Sequence, residues 1–132
     1  MAEWGPGIYE NDDAMDWIYD LLDSGGLSRV KHALDVVLQD DVEDLEAADC
    51  RIALAAADLV AALDGDINPN LPQEAEEWLT LVNKSASGLR GKAEEVVREI
   101  QEFSVLRAKY QDKGKLDDWE KVITALLKRL EL

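Results

Sequence analysis

Apolar residues recur along this chain with a helical period in six segments, and nowhere do they alternate as a half-buried strand requires. Ala14, Trp17, Ile18, Leu21 and Leu22 form the first stripe, on a helix predicted from Asn11 or Asp12 to Asp23. Asn11 suits its N-cap, Asp12 and Asp13 suit the positive end of its dipole, and Ser24-Gly25-Gly26 stops it, with glycine able to turn left-handed. Val30, Ala33, Leu34, Val37 and Leu38 mark a second helix from about Ser28 to Gln39. The third, from about Glu43 to Leu63, is apolar on nearly every side from Cys50 onward, which makes it the central, buried helix. Gly65 ends it. Pro72 opens a fourth helix that runs to Lys84 and presents Ala75, Trp78, Leu79 and Val82. After a break at Ser85 to Gly88, a fifth runs from about Leu89 to Gln111, with Leu89, Ala93, Val96, Val97, Ile100, Phe103, Leu106 (or Arg107) and Tyr110 inward. Lys113-Gly114-Lys115 separates it from the last, Leu116 to Leu130, whose stripe includes Trp119, Ile123, Leu126 and Leu127.

The predicted architecture is therefore all-α: one domain over residues 1–132, a bundle of about six helices packed around the Ala/Leu-rich third, preceded by an aromatic and glycine-rich arm over about residues 1–11. The linkers are short, no repeat is evident, and 132 residues suffice for a core without metals or disulfides.

Charge changes the picture more than composition does. The formal net charge is -15, and it is concentrated: residues 1–50 carry 14 acidic and 2 basic residues, a net of -12, which leaves -3 for the remainder. Such a field repels nucleic acid and anionic lipid and attracts basic partners. No basic leader and no 18-residue uncharged apolar run is present, so a cytoplasmic location away from membranes is expected.

Candidate chemistry is sparse. His32 is the single histidine; Ser28 and Asp35 lie at helical spacing from it, but no nucleophile motif accompanies them, so no catalytic residue is assigned. Cys50, the one cysteine, reads as a small buried hydrophobe. Asp12, Asp16, Asp20 and Asp23 are helically spaced, and Asp13, Asp16 and Asp20 share one face, yet a polar face opposite an apolar stripe is the ordinary case, so neither a metal nor a cofactor is assigned. Asp64-Gly65-Asp66-Ile67-Asn68-Pro69-Asn70 imitates a calcium loop but places Pro69 where a turn-making glycine belongs and Ala75 where a bidentate glutamate belongs. Gly5-x-Gly7 precedes a helix without a preceding strand, and Asp12-Asp13 would repel a phosphate there. Arg51 and Asp58, seven residues apart on the apolar third helix, share one face; they are expected in ion pairs with neighbouring helices or, alternatively, in a polar pocket within the bundle.

Trp4-Gly5-x-Gly7-x-Tyr9-x-Asn11-Asp12-Asp13-Ala14-x-Asp16-Trp17 resembles the opening of a bacterial family of small domains of unknown function, numbered 4259, with Leu71-Pro72 before Trp78-Leu79 and Leu106-Arg107 before Leu116-Asp117-Asp118-Trp119 as further landmarks. Tyr110 stands where that resemblance leads one to expect tryptophan. The family implies no catalytic residues. In the motif itself, Gly5 and Gly7 would adopt backbone angles closed to other residues while Trp4 and Ile8 or Tyr9 fold back on the first helix. The alternative is a partner-binding surface of Trp4, Tyr9, Asp12, Asp13, Asp16 and Asp20.

Together these features lead to an expected non-enzymatic binding module that takes a basic protein partner through its acidic N-terminal half, as an inhibitor or immunity protein would. A small-ligand or metal-binding helical protein using the Arg51–Asp58 pocket, and a structural homo-oligomer, are the alternatives. The oligomeric state is left open.

Overall fold

A computed structural model describes residues 5–131 of the chain. Seven α-helices follow one another: α1 (Asp12–Ser24), α2 (Leu27–Gln39), α3 (Ala47–Leu63), α4 (Gln73–Val82), α5 (Arg90–Phe103), α6 (Val105–Asp112) and α7 (Leu116–Leu130). Single 3-10 turns, Val42–Asp44 and Ser87–Leu89, precede α3 and α5. No strand occurs among the described residues, and none of their helices is long and apolar enough to cross a membrane.

Every other α-helix packs against α3. Residues Ala53 to Ala62 of this helix are all buried, which is what a helix apolar on every face requires. Its alanines contribute little volume, so neighbouring backbones come close and the large side chains filling the core arrive from outside: Ile18 and Leu21 from α1, Leu34 from α2, Trp78 from α4, Ile100 from α5 and Trp119 from α7. Trp78 buries its indole and still satisfies its donor, with Nε1 2.9 Å from the Gly25 carbonyl between α1 and α2.

The helix ends follow from local chemistry. Asn11 caps α1, its side-chain oxygen accepting from the Ala14 amide at 2.7 Å. After α3, Gly65 takes φ 100°, and the amides of Gly65 and Asp66 bond back to Ala62 and Ala61. Gly114 repeats this after α6 at φ 72°, with Lys115 bonding to Tyr110. Both are the paired backbone closure that glycine permits by entering the left-handed region. Gly25 differs from expectation. Its φ is -102°, an extended value, and glycine is needed because a Cβ would lie 2.6 Å from a Leu21 methyl.

Two predicted helices are broken. The third begins at Ala47 rather than Glu43, because Val42 and Leu45, the apolar residues of an acidic segment, turn inward before it. The fifth is divided at Ser104, which raises the count from about six to seven. The Ser104 hydroxyl donates to the Ile100 carbonyl at 2.6 Å and accepts from the Arg107 amide at 3.0 Å, so it closes one helix and caps the next. The turn resets the helical phase. Leu106 and Tyr110 are buried, whereas Phe103, predicted inward, is 50% exposed.

Arg90 ties the far end of the bundle together. It is buried at the start of α5, and its guanidinium donates to the carbonyls of Arg129, Leu130 and Glu131 as well as to Asp64 and Asp66, both at 3.2 Å. The carbonyls that the end of α7 cannot satisfy within the helix are thus satisfied by a side chain. Burial pushes the Asp64 carboxyl up, but the Ser85 hydroxyl, the Ala86 amide and Arg90 outweigh it and hold it below its usual range. These bonds also account for the loop that imitates a calcium site: Asp64 and Asp66 are turned toward Arg90.

Replacing Arg90 with alanine strands these acceptors and is expected to cost about 3 kcal/mol, at the low end for a broken buried pair because Asp66 is exposed. Ser104→Ala removes a cap and is expected to cost about 1 kcal/mol. Urea unfolding of both variants measures the difference.

Candidate functional site

The arm is held as a specified structure from Gly5 to Asn11. A turn joins the Glu10 amide to the Gly7 carbonyl at 3.1 Å, and the Glu10 carboxylate curls back to accept from the Gly7 amide at 3.0 Å. A Cβ on Gly7 would come within 2.4 Å of that carboxylate, and one on Gly5 within 2.6 Å. A side chain at Gly7 would have to displace the exposed Glu10 carboxylate from its place on the Gly7 amide, and no unusual backbone angle is involved, since Gly7 is not among the positive-φ glycines. Asn11 donates to the Ile8 carbonyl while it caps α1, joining arm and helix.

From this arm Ile8 and Tyr9 turn into the core, at 5% and 6% exposure. The Tyr9 hydroxyl donates to Asp58 Oδ2 at 2.7 Å, and Arg129 Nη2 donates to Asp58 Oδ1 at 2.5 Å. Asp58 itself has no solvent exposure. A buried carboxylate is tolerated only when paired and hydrogen-bonded, and here the arm supplies the neutral donor and α7 the charge. Burial, the Asp58 charge and the hydrogen bond to it push the Tyr9 hydroxyl well above the ordinary 10.0, and Arg129 offsets this only in part. Beyond the arm, Tyr110 stacks on Trp119 with ring centroids 5.5 Å apart, and its hydroxyl reaches the Gly5 carbonyl at 3.5 Å.

Between the arm, the α3–α4 loop and the outer side of α7 lies a half-enclosed cleft of about 330 Å³, lined among others by Ile8, Tyr9, Asn68, Lys121, Ala125 and Arg129. Asn68 is buried in its wall, its side-chain oxygen accepting from the Asn70 amide at 2.9 Å.

The residues singled out in the sequence separate into distinct places. Arg51 and Asp58 do not share a pocket. Arg51 turns to α1 and bonds Asp13 at 3.0 Å, while Asp58, two turns further along α3, faces the arm and α7. Tyr9 and Asp13 therefore do not belong to an exposed interaction surface: the first is buried against Asp58 and the second is engaged by Arg51. Trp4 lies outside the described residues. Asp12, Asp16 and Asp20 are exposed and form no ion pair among the described residues. Tyr19 joins them, 52% exposed. Asp12, Asp16, Tyr19, Asp20 and Asp23 follow i, i+4, i+7, i+8, i+11 spacing and so occupy one outer face of α1. Tyr19 was legible as the aromatic that falls outside the inward stripe. Arg90 and Arg129 were missed in the sequence; the one signal for Arg90 was its place before Ala93 and Val97 at i, i+3, i+7.

His32 is exposed on α2, and Asp35 is engaged by Lys31 and Lys92. Cys50 has no exposure, and burial, with Asp49 beside it, pushes its thiol up to about 12. Among the described residues no three of His, Cys, Asp and Glu converge as a metal site would require.

A family model described as a domain of unknown function (DUF4259) matches residues 2–122, and the chain belongs to that family. No curated protein and no solved structure matches it.

Tyr9→Phe is expected to cost about 2 kcal/mol, the loss of one hydrogen bond to a buried charged acceptor. It also changes the alkaline limb of the stability profile. Above pH 10.0 the unfolded tyrosine loses its proton while the folded one retains it, so the wild type loses stability as pH rises toward the raised folded value. Tyr9→Phe lacks this contribution and should show a shallower decline by one proton. The Cys50 contribution, from 9.0 upward, is common to both proteins. Urea titrations across pH 8 to 11, roughly spanning the ordinary tyrosine value, measure the two slopes.

Proposed function

We propose that this member of the family is a non-enzymatic binding protein of the bacterial cytoplasm, acting on a basic protein as an inhibitor or immunity protein does. The outer face of α1 is the binding surface. Asp12, Asp16, Asp20 and Asp23 share the outer face of α1 with Tyr19, and this one observation carries the reading: an exposed aromatic set among acids that form no ion pair among the described residues. Tyrosines are over-represented among the residues that dominate binding energy, because a rigid amphipathic ring buries area at small entropic cost. Acids around it bring a cationic partner in quickly and reject polyanions. The internal use of charge supports the same division. Asp13, Asp58, Asp64 and Asp66 are engaged by arginines within the fold, whereas Asp12, Asp16, Asp20 and Asp23 on the outer face of α1 are exposed and form no ion pair among the described residues.

An immobilised wild-type protein is expected to retain a basic protein from an extract of the source bacterium at low salt and to release it at about 0.5 M salt, where exposed charges are screened within a few ångströms. Asp16→Lys with Asp20→Lys should abolish retention, and Tyr19→Ala should weaken binding by about tenfold or more, the cost of one central contact. Absence of any basic protein at low salt, or equal retention by the charge-reversed variant, would sink the proposal.

A further inference from the structure

We propose that the cleft between the arm and α7 is a binding site for a small carboxylate with a short apolar body. Its volume of about 330 Å³ falls at the low end of the range of ligand sites, so a metabolite-sized occupant fits and a larger cofactor does not. Lys121, Ala125 and Arg129 stand at i, i+4, i+8 on α7 and form one column, a cation at each end with a methyl group between. Lys121 is exposed and forms no ion pair among the described residues. Arg129 gives Nη2 to Asp58, but its Nε is buried with no hydrogen-bond partner. Arg129 also lines the cleft and keeps 17% of its side chain exposed, so an anionic acceptor entering the cleft meets its charge. The small Ala125 leaves room for that acceptor between the two cations, and Ile8 and Val122 give the body of the ligand an apolar wall.

The charge of the whole chain opposes an anion at long range. That opposition fades over roughly 10 Å at 0.1 M salt, whereas the contacts to Lys121 and Arg129 are made at hydrogen-bond distance. Glu10, the acid in the lining, is turned onto the Gly7 amide and closes the arm. The site is distinct from the outer face of α1, so either assignment stands without the other.

Amide chemical-shift titration of the full chain with hexanoate tests this, with acetate and 1-hexanol as probes that carry only the head or only the body. Hexanoate at up to ~10 mM, a range set by what so few atoms can bind, is expected to move the amides of Gly7 to Glu10, Asn70 and Lys121 to Arg129. Acetate and 1-hexanol should bind at least about fivefold more weakly, and Lys121→Ala should weaken hexanoate by about fivefold, the equivalent of one exposed ion pair. Ala125→Leu, at an exposed helical position, should block the cleft while leaving the thermal midpoint unchanged. No movement of these amides, equal binding of 1-hexanol or acetate, or full binding by either variant overturns the assignment.

Discussion

A carboxylate without solvent access sits on the central helix, and the placement of the arm and of the last turn of α7 depends on satisfying it. Asp58 is enclosed by a helix that is otherwise alanine, leucine and valine along this stretch, so no neighbour on α3 can help it. Taking such a group out of water costs several kcal/mol unless partners replace the lost hydration. The partners come from far along the chain: Tyr9 from the arm and Arg129 from the last turn of α7. One buried charge thereby joins the arm to the last turn of α7 across the middle of the bundle.

Arg90 makes the same region doubly determined. It binds the carbonyls of residues 129–131, the turn that also presents the Arg129 side chain to Asp58. Movement of that turn would disturb two buried polar clusters at once. The cleft is a by-product of this arrangement. Tyr9 is drawn inward to Asp58, the arm is held at a fixed distance from α7 by its own Glu10 turn, and a concave space remains between them. The same arrangement sorts the acids. Those near arginines are absorbed into the structure, and those on the outer face of α1 remain exposed.

The helical stripes were readable because burial and period coincide: Trp17, Ile18 and Leu21, or Trp119, Ile123 and Leu126, lie on the inner faces their spacing predicts. Asn11 and Gly65 act as their residue types suggest. What misled was chemistry acting through space. Ser104 resembles any serine in a helical run until its hydroxyl is seen to bond Ile100 and Arg107 together, and Phe103 then falls outside the core. Gly7 and Gly25 suggest unusual backbone angles, but neither has one; Gly25 is held to glycine by the buried Leu21 packed against it, and Gly7 makes room for the Glu10 carboxylate. For the candidate site, Asp58 and the outward acids of α1 were legible, whereas the separation of Arg51 from Asp58 was not, since a shared helix face does not say which neighbour each charge meets.

By itself, then, the sequence determined the helices, the burial of the third and the concentration of negative charge in the first half, because these depend on period and composition within a few turns. The tertiary structure decided which charges are used internally, that Tyr9 is a core residue, and where a cleft opens. Those outcomes depend on partners 49 and 71 residues apart in the chain, as in Tyr9 with Asp58 and Asp58 with Arg129. No local pattern records such a pairing, because the energy of a buried charge is set by whichever group the fold brings to it.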